Sequence, residues 1–285
     1  MARQEQNPVF LLTDFGAGSI YVGHMKAVLG RALPGADLFD LAHDIAPGPP
    51  DQVISEGAFL LARSYRYLSP ESVVCCVVDP GVGTDRGVLA VRLPGCEGGA
   101  GLTLVGPDNG LFADVVDREP GASIYRVTDR SFCLAGCSST FHGRDLFAPL
   151  VARVAAGTPL SELGCLISSV EMARRQSGSA SNGPAIVRLV DRFGNLVTDV
   201  VPPGGLEAVA WLEIAGVRIG VTAPTFELAR PGTVFVTLGG LGTLEVCCRS
   251  ESAALALGVG RGAFVRVGYS APCGAEKRQE VVASS

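Results

Sequence analysis

Residues 72–81, SVVCCVVDPG, decide the fold class of this chain. An apolar run occupies 72–78, with Pro70 before it and Asp79-Pro80-Gly81 after it. Such a run is typical of a strand that is buried on both faces, as the strands of parallel sheets are. The stretch therefore predicts an α/β domain in which Asp79 follows the carboxyl end of a central strand, where such domains bind their ligands.

Alternating strand and helix patterns surround this run. Asp51 is the predicted N-cap of the second helix. We therefore predict an α/β N-terminal domain, residues 1–172, with a central, mostly parallel sheet. The apolar patterns predict its further strands at 8–13, 36–41, 87–93 and 102–105, and its helices at 19–33, 51–67 and 146–156.

A change of composition marks the end of this domain. Residues 173–184, ARRQSGSASNGP, are rich in Ser and Gly without apolar periodicity, so they predict a linker. The short apolar runs after it, separated by Gly and Pro, predict that residues 185–285 form a smaller all-β, barrel-like domain. Those runs lie at 185–190, 209–214, 217–221, 233–238 and 244–248.

The composition disfavours two classes of partner. The 285 residues include 23 Lys and Arg against 28 Asp and Glu, so no positive charge is in excess for binding nucleic acid. Hydrophobic residues make up 47%, but the apolar runs are far shorter than the roughly 20 residues of a membrane helix. Residues 1–8 are polar and lack the apolar core of a signal peptide. We therefore predict a cytoplasmic protein that binds neither nucleic acid nor membrane.

The pattern of the nine cysteines also favours the cytoplasm. Only Cys133 and Cys137 have a spacing that even loosely resembles a metal site, and the sequence supplies no histidine partners for them. The odd number and the adjacent pairs inside apolar runs predict reduced, buried thiols and no metal site. The nine residues are Cys75, Cys76, Cys96, Cys133, Cys137, Cys165, Cys247, Cys248 and Cys273.

Polar residues follow two predicted strands of the first domain. Asp14 follows the strand at 8–13, and Asp79 opens the segment DPGVGTDR, which includes Arg86. Such residues are suited to bind a ligand, but turns and helix caps use the same residue types. A structural alternative stays open for each at this point. For Asp14 it is a cap of the helix that begins near residue 19. For Asp79 and Arg86 it is an ordinary ion pair that closes a turn.

The three histidines differ in their surroundings. His24 lies in a helical pattern, where a packing role explains it equally well, and His43 near a Pro-rich loop either contacts a ligand or caps a turn. His142, in FHGRD directly before a helix, is the strongest candidate for acid–base chemistry. Because the helix dipole opposes protonation there, we expect a neutral ring. Asp145 of the same segment is a candidate helix cap.

Five motifs in a fixed order point to a family. TDFG, VVDPGVGT, GPDNG, FHGRD and DRFGN follow one another between residues 13 and 195. In the last motif, Asp191 and Asn195 either shape a β-turn or contact a ligand. Together the motifs resemble the S-adenosyl-L-methionine (SAM) hydroxide adenosyltransferases, or SAM hydrolases, which are related to fluorinating and chlorinating enzymes. The resemblance covers residues 9–200 clearly and 269–274 weakly.

The resemblance implies a reaction centre in the first domain. Asp79, Arg86 and His142 match the residues that hold and activate a water molecule. Phe141 and Gly143 match residues that line the pocket of the nucleophile. In the halide-using relatives, tyrosines stand at the positions of Asp79 and His142, and a serine stands at that of Gly143. The residues present here are the hydrolytic ones.

The resemblance also implies how the substrate binds. Asp14 matches the carboxylate that holds the ribose hydroxyls, Asp191 the carboxylate that binds the methionine ammonium, and Asn195 the amide that reads adenine. Ser270 is the candidate for the methionine carboxylate. SAM would bind without a cofactor, between the α/β domain of one subunit and the barrel of its neighbour in a homotrimer.

One feature of the relatives is missing. They carry a tryptophan near the sugar, whereas residues 49–52 read PPDQ here. The predicted activity is hydrolysis of SAM to adenosine and L-methionine by attack of an activated water on ribose C5′. Two alternatives remain: a catalytically silent sensor that binds SAM or adenosine, and a SAM-dependent halogenase.

Overall fold

The chain divides into two compact units, Met1–Gly183 and Pro184–Ser285. The computed structural model describes residues 6–95, 101–169, 172 and 184–270. Residues 173–183 of the predicted linker lie outside the described residues, as do Cys96 and Cys273.

The first unit contains a seven-stranded sheet in the order β2-β1-β3-β5-β4-β6-β7. Strands β2, β1, β3 and β5 pair in parallel, whereas β4 is antiparallel to β5 and β6, and β7 is antiparallel to β6. The prediction of a mostly parallel sheet is confirmed. The strands are β1 (Val9–Thr13), β2 (Leu38–Ala42), β3 (Val73–Val77), β4 (Val88–Arg92), β5 (Thr103–Pro107), β6 (Ser123–Val127) and β7 (Gly164–Ile167).

Strand β3 is central because both of its faces are buried. The side chains of Val73, Cys75 and Val77 pack with one group of apolar residues, which includes Met25. The side chains of Val74 and Cys76 alternate with these and pack with a second group on the other face. Because side chains of a strand point alternately to opposite faces, burial on both sides requires the unbroken apolar run.

Helices cover the sheet, and the start of the second helix differs from the prediction. Ser19 caps α1, since the Tyr21 N–H donates to its Oγ at 3.2 Å. The N-cap of α2 is Pro49, so the prediction of Asp51 is wrong. Pro50 fixes the first helical position, and Asp51 lies in the first turn beside the positive end of the helix dipole. The helices are α1 (Ile20–Ala32), α2 (Pro50–Ser64), α3 (Ala113–Val116), α4 (Ala148–Ala155) and α5 (Leu160–Leu163), with a 3₁₀ turn at Tyr65–Tyr67 and a π-helical turn at Gly143–Phe147.

The second unit is built of two antiparallel sheets, with strand orders β11-β10-β14 and β12-β13-β9-β8. A common apolar core holds Val187, Leu212, Val246 and Val265. The predicted all-β class is confirmed. Its elements are β8 (Val187–Val190), β9 (Leu196–Thr198), β10 (Val209–Ile214), β11 (Val217–Ile219), β12 (Val234–Leu238), β13 (Leu244–Cys248), α6 (Ala253–Leu257) and β14 (Val265–Tyr269).

The cysteines of the described residues are free thiols, and two of them contradict the prediction of burial. Cys137 and Cys165 are exposed, because one stands in a loop and the other on the edge strand β7. Among the described residues, no cluster of three potential metal-binding side chains is found. None of the helices there has the length and apolarity that crossing a membrane requires.

Candidate active site

Asp79 and His142 meet at the guanidinium group of Arg86, which lies seven residues after Asp79 and 56 residues before His142. Asp79 follows the carboxyl end of β3, Arg86 precedes β4, and His142 is the first residue before the π-helical turn. Arg86 Nε donates to both carboxylate oxygens of Asp79 at 2.9 Å, and Arg86 Nη2 contacts Oδ2 as well. Nη2 also lies 2.8 Å from His142 Nδ1. The side chains of Asp79 and Arg86 are only 3% and 10% exposed.

This arrangement fixes the hydrogen positions on His142. A guanidinium group can only donate, so Nδ1 accepts the hydrogen bond from Arg86 and the neutral ring carries its hydrogen on Nε2. Burial and the positive charge of Arg86 lower the pKa of His142. The ring is therefore neutral, as the sequence predicts, but burial and Arg86 are the causes that the structure identifies.

The loop after Asp79 packs tightly against the loop before His142. Gly83 has a φ of +83°, and a Cβ atom there would lie 2.5 Å from the carbonyl oxygen of Ser139. Only glycine fits both the backbone conformation and this approach. The Arg86 guanidinium lies over the ring of Phe147, 5.3 Å from its centroid. The contact at Gly83 thus joins the loops that carry Arg86 and His142, and the Phe147 ring packs against the guanidinium group between them.

Asp14 lies beside the cluster, at the end of β1. Burial and, to a smaller extent, the negative charge of Asp79 together raise the pKa of its carboxyl group to about 6, against the lowering effect of backbone hydrogen bonds. The alternative role as a helix cap is excluded, because Ser19 occupies that position in α1. Parallel pairing of β1 with β3 brings the two carboxylates to the same edge of the sheet.

An aromatic group adjoins His142. The Phe141 ring makes edge contacts with Tyr21 and Phe15, with centroids 5.0 and 5.9 Å apart. Gly143 faces this group. A Cβ atom at residue 143 would lie 3.1 Å from Met25 Sδ and 3.2 Å from the Phe15 and Phe141 rings. The space that a side chain at residue 143 would need is therefore already filled.

Asp145 binds the loop that precedes His142 and is not a helix cap. Its Oδ2 accepts a hydrogen bond from the Ser138 N–H at 2.8 Å, and its Oδ1 accepts one from Arg144 Nε at 2.6 Å. The helix begins here as a π-helical turn, which directs the carboxylate back toward residue 138. Asp145 thus fastens the segment that precedes His142.

In the second unit, Asp191 and Asn195 hold one another within a single turn. Asp191 Oδ1 accepts from the N–H groups of Phe193 and Asn195 at 2.8 and 2.9 Å, and Oδ2 accepts from Asn195 Nδ2 at 2.8 Å. The turn-shaping role considered for them is therefore present in the structure. Ser270 is exposed directly after β14, and its N–H donates to the Ala208 carbonyl at 2.9 Å.

A cavity of about 610 Å³ opens beside this turn. Its wall includes Asn195, which is buried, and the Phe193 side chain, which is 71% exposed. No sequence signal indicates Phe226, because it comes from a 3₁₀ turn about 30 residues further along the chain. The wall consists of Phe193, Asn195, Phe226, Cys248, Ser250, Glu251 and Ser252.

The fold and the site define a class: an α/β unit with a buried Asp–Arg–His cluster at the carboxyl edge of its sheet, followed by an all-β unit. The model of the SAM hydroxide adenosyltransferase N-terminal domain matches residues 9–164, and that of the C-terminal domain matches residues 185–266. The chain belongs to this family, and the resemblance inferred from the five motifs is confirmed.

Named relatives fall into two groups. A protein of Thermus thermophilus named (R)-S-adenosyl-L-methionine hydrolase is 36% identical over 269 residues, covering 91% of this chain and 99% of that protein. One of the same name from Salinispora arenicola is 35% identical over 261 residues, covering 90% and 95%. A fluorinase of Actinoplanes sp. is more distant, 26% identical over 218 residues, covering 68% and 72%.

Solved structures support the fold. A crystal structure of an uncharacterized conserved protein from Thermotoga maritima has a TM-score of 0.77 at 28% identity, and the match covers 91% of this chain and 99% of that one. A conserved hypothetical protein from Thermus thermophilus has a TM-score of 0.71 at 35% identity, with 92% and 100% covered.

Proposed function

We propose that this protein hydrolyses S-adenosyl-L-methionine to adenosine and L-methionine. The observation that carries the proposal is the bridge from Arg86 to both Asp79 and His142, with Asp14 beside it. Relatives of more than 30% identity that are named as hydrolases of this compound support the substrate.

The reaction needs a nucleophile and little else. The oxygen of a water molecule forms a bond to ribose C5′ while the C5′–S bond breaks, and the electron pair of that bond stays on sulfur. The sulfonium leaves as a neutral thioether, so the leaving group needs no acid. One proton of the water must be removed. Holding water and C5′ in line is worth roughly 7–11 kcal/mol of the barrier.

The hydrogen-bond directions support a distinct role for each residue of the cluster. His142 Nδ1 is occupied by Arg86, so the ring offers its Nε2–H to the water oxygen and orients it. The Asp79 carboxylate is the group that takes the proton. Arg86 stabilises the negative charge that develops on the oxygen as the proton leaves.

The remaining residues bind the substrate in this proposal. Asp14 accepts hydrogen bonds from the ribose hydroxyls, and Asp191 uses its free lone pairs for the methionine ammonium. Asn195 reads the adenine edge, and Phe193 beside the 610 Å³ cavity offers a face for stacking. Ser270 binds the methionine carboxylate.

We also propose a homotrimer in the cytoplasm that shares its sites between subunits and uses no cofactor. Exposed aromatic side chains near the cavity, Phe193 and Phe226, supply apolar surface for such a contact. Light scattering is expected to give three times the chain mass of 29.4 kDa. A monomer at micromolar concentration would contradict the shared site.

The activity test is release of adenosine. Purified protein is incubated with each sulfonium epimer of SAM separately, because the relatives are named for the (R) form. Chromatography is expected to show adenosine and methionine in equal amounts, with Asp79→Asn as the control. No adenosine above that control would overturn the proposal. Tight binding without turnover would favour a sensor, and 5′-halo-5′-deoxyadenosine in added chloride or fluoride would favour a halogenase.

A further inference from the structure

His43 is a buried histidine that the proposed reaction does not use. It follows β2 at the same edge of the sheet as the site and is 7% exposed. Its Nδ1 lies 2.8 Å from Thr13 Oγ1, and its Nε2 lies 2.9 Å from Asp40 Oδ1. Thr13 is the last residue of β1 and directly precedes Asp14.

The directions of these hydrogen bonds follow from Asp40. Burial acts to raise the pKa of Asp40, but hydrogen bonds from His43 and Lys26 outweigh it and lower that pKa. Lys26 Nζ lies 2.7 Å from the other carboxylate oxygen. The carboxylate accepts from His43 Nε2–H, which leaves Nδ1 to pair with the Thr13 hydroxyl. A relay therefore runs from Thr13 through His43 to Asp40.

The same segment holds the loop around Asp14 at further points. The Gly16 N–H donates to the carbonyl oxygen of His43 at 2.8 Å, and the Ala17 N–H donates to Asp44 Oδ1 at 2.6 Å. Within the loop, the Phe15 N–H donates to Thr13 Oγ1 at 3.3 Å. Residues 13, 16 and 17 thus all form hydrogen bonds with His43 or Asp44, directly after β2, and Asp14 lies between residues 13 and 16.

We propose that His43, held by Asp40, is a positioning residue that fixes the loop at 13–17 and thereby the Asp14 carboxylate. The role of that carboxylate in ribose binding rests on the function proposed above. Because Asp14 acts in binding and the Asp79–Arg86–His142 cluster acts in the chemical step, loss of the relay is expected to raise KM and to leave kcat nearly unchanged.

The test compares Thr13→Val, which keeps the shape but removes the hydroxyl, with Thr13→Ser, which restores it. His43→Leu removes the imidazole. The matched control is Thr103→Val, because Thr103 is also a buried threonine of this sheet with a side-chain hydrogen bond, from Arg92 at 3.1 Å, but stands at the opposite edge. The readouts are KM, kcat and hydrogen–deuterium exchange of the amides of residues 14–18.

In Thr13→Val and His43→Leu, KM is expected to rise about 5- to 10-fold, as the loss of one hydrogen bond allows, with faster amide exchange at 16 and 17. Thr13→Ser and Thr103→Val are expected to keep wild-type values. Wild-type KM and exchange in Thr13→Val, or an equal rise of KM in Thr103→Val, would overturn the proposal. If the wild type releases no adenosine, the proposed function fails, and exchange at 14–18 alone decides whether the relay fixes the loop.

Discussion

The two units hold their candidate site residues in different ways. In the first unit, Arg86 joins Asp79 to His142, which stands 56 residues further along the chain, so the cluster exists only when the sheet has formed. In the second unit, Asp191 and Asn195 bind each other within five residues. A buried, tertiary cluster suits the chemical step, because charges far from water interact strongly. A local turn suits recognition of the substrate.

The largest effect is expected from Arg86→Ala. It leaves the Asp79 carboxylate buried without its partner, so kcat should fall at least about 100-fold and stability by about 3–5 kcal/mol. Steady-state kinetics and urea unfolding measure the two effects, with Arg86→Lys as the variant that keeps a positive charge. If kcat of Arg86→Ala stayed within tenfold of wild type, the chemical step would not depend on the buried cluster of the first unit.

Asp14 connects binding in the first unit to pH. Its pKa of about 6 lies above the ordinary value of 3.8, so the carboxylate becomes protonated as pH falls through 6. Protonation removes the acceptor that the proposed function assigns to the ribose hydroxyls, so kcat/KM is expected to fall about tenfold per pH unit below pH 6. Asp14→Asn should lack this dependence. Because ionisation is unfavourable at this buried position, the same variant should be more stable than wild type at pH 7.

A smaller effect is expected from Asp191→Ala in the second unit. The carboxylate accepts three hydrogen bonds there, so the turn loosens and KM should rise about tenfold while kcat stays within about twofold. Asp129→Ala is the matched control. The Asp129 carboxylate also closes a local turn, accepting from the N–H and the hydroxyl of Ser131 at 2.8 and 3.0 Å, without a proposed part in the site. A fall of kcat in Asp191→Ala would place chemistry in both units.

The smallest effect is expected from Gly143→Ala. The added Cβ would meet Met25 Sδ at 3.1 Å, and a thioether side chain can move by a few tenths of an ångström. We expect a decrease in kcat of about two- to fivefold and a loss of about 1 kcal/mol in stability. Chloride and fluoride should still yield no halogenated product. Appearance of 5′-chloro-5′-deoxyadenosine would show that this position alone selects the nucleophile.

The parallel half of the sheet could be predicted because its strands carry long apolar signals. Strand β3 is buried on both faces, and only a continuous run of apolar residues places apolar side chains on both of them. The positions of Asp14 and Asp79 follow, because parallel strands end at one edge. The antiparallel strands β6, β7, β9 and β14 were missed, since they are short or partly exposed and their pairing comes from tertiary context.

The sequence names the residues of the candidate site but does not indicate their hydrogen bonds. The motifs indicated Asp79, Arg86 and His142 through a family resemblance, yet no spacing shows that Arg86 occupies Nδ1 of His142 and so places the ring hydrogen on Nε2. The relay from Thr13 to Asp40 has no local signal either, because strand pairing brings β2 beside β1. Asp145 looked like a helix cap because a π-helical turn cannot be recognised from this sequence.

The most direct test of the central claim is to run the reaction in water enriched in oxygen-18 and to locate the label by mass spectrometry. Attack at C5′ by a water held at Asp79, Arg86 and His142 predicts one labelled oxygen in the 5′-hydroxyl of adenosine, none in methionine, and loss of the labelled product in Asp79→Asn. Labelled homoserine with 5′-methylthioadenosine, or undiminished labelled adenosine in Asp79→Asn, would contradict it.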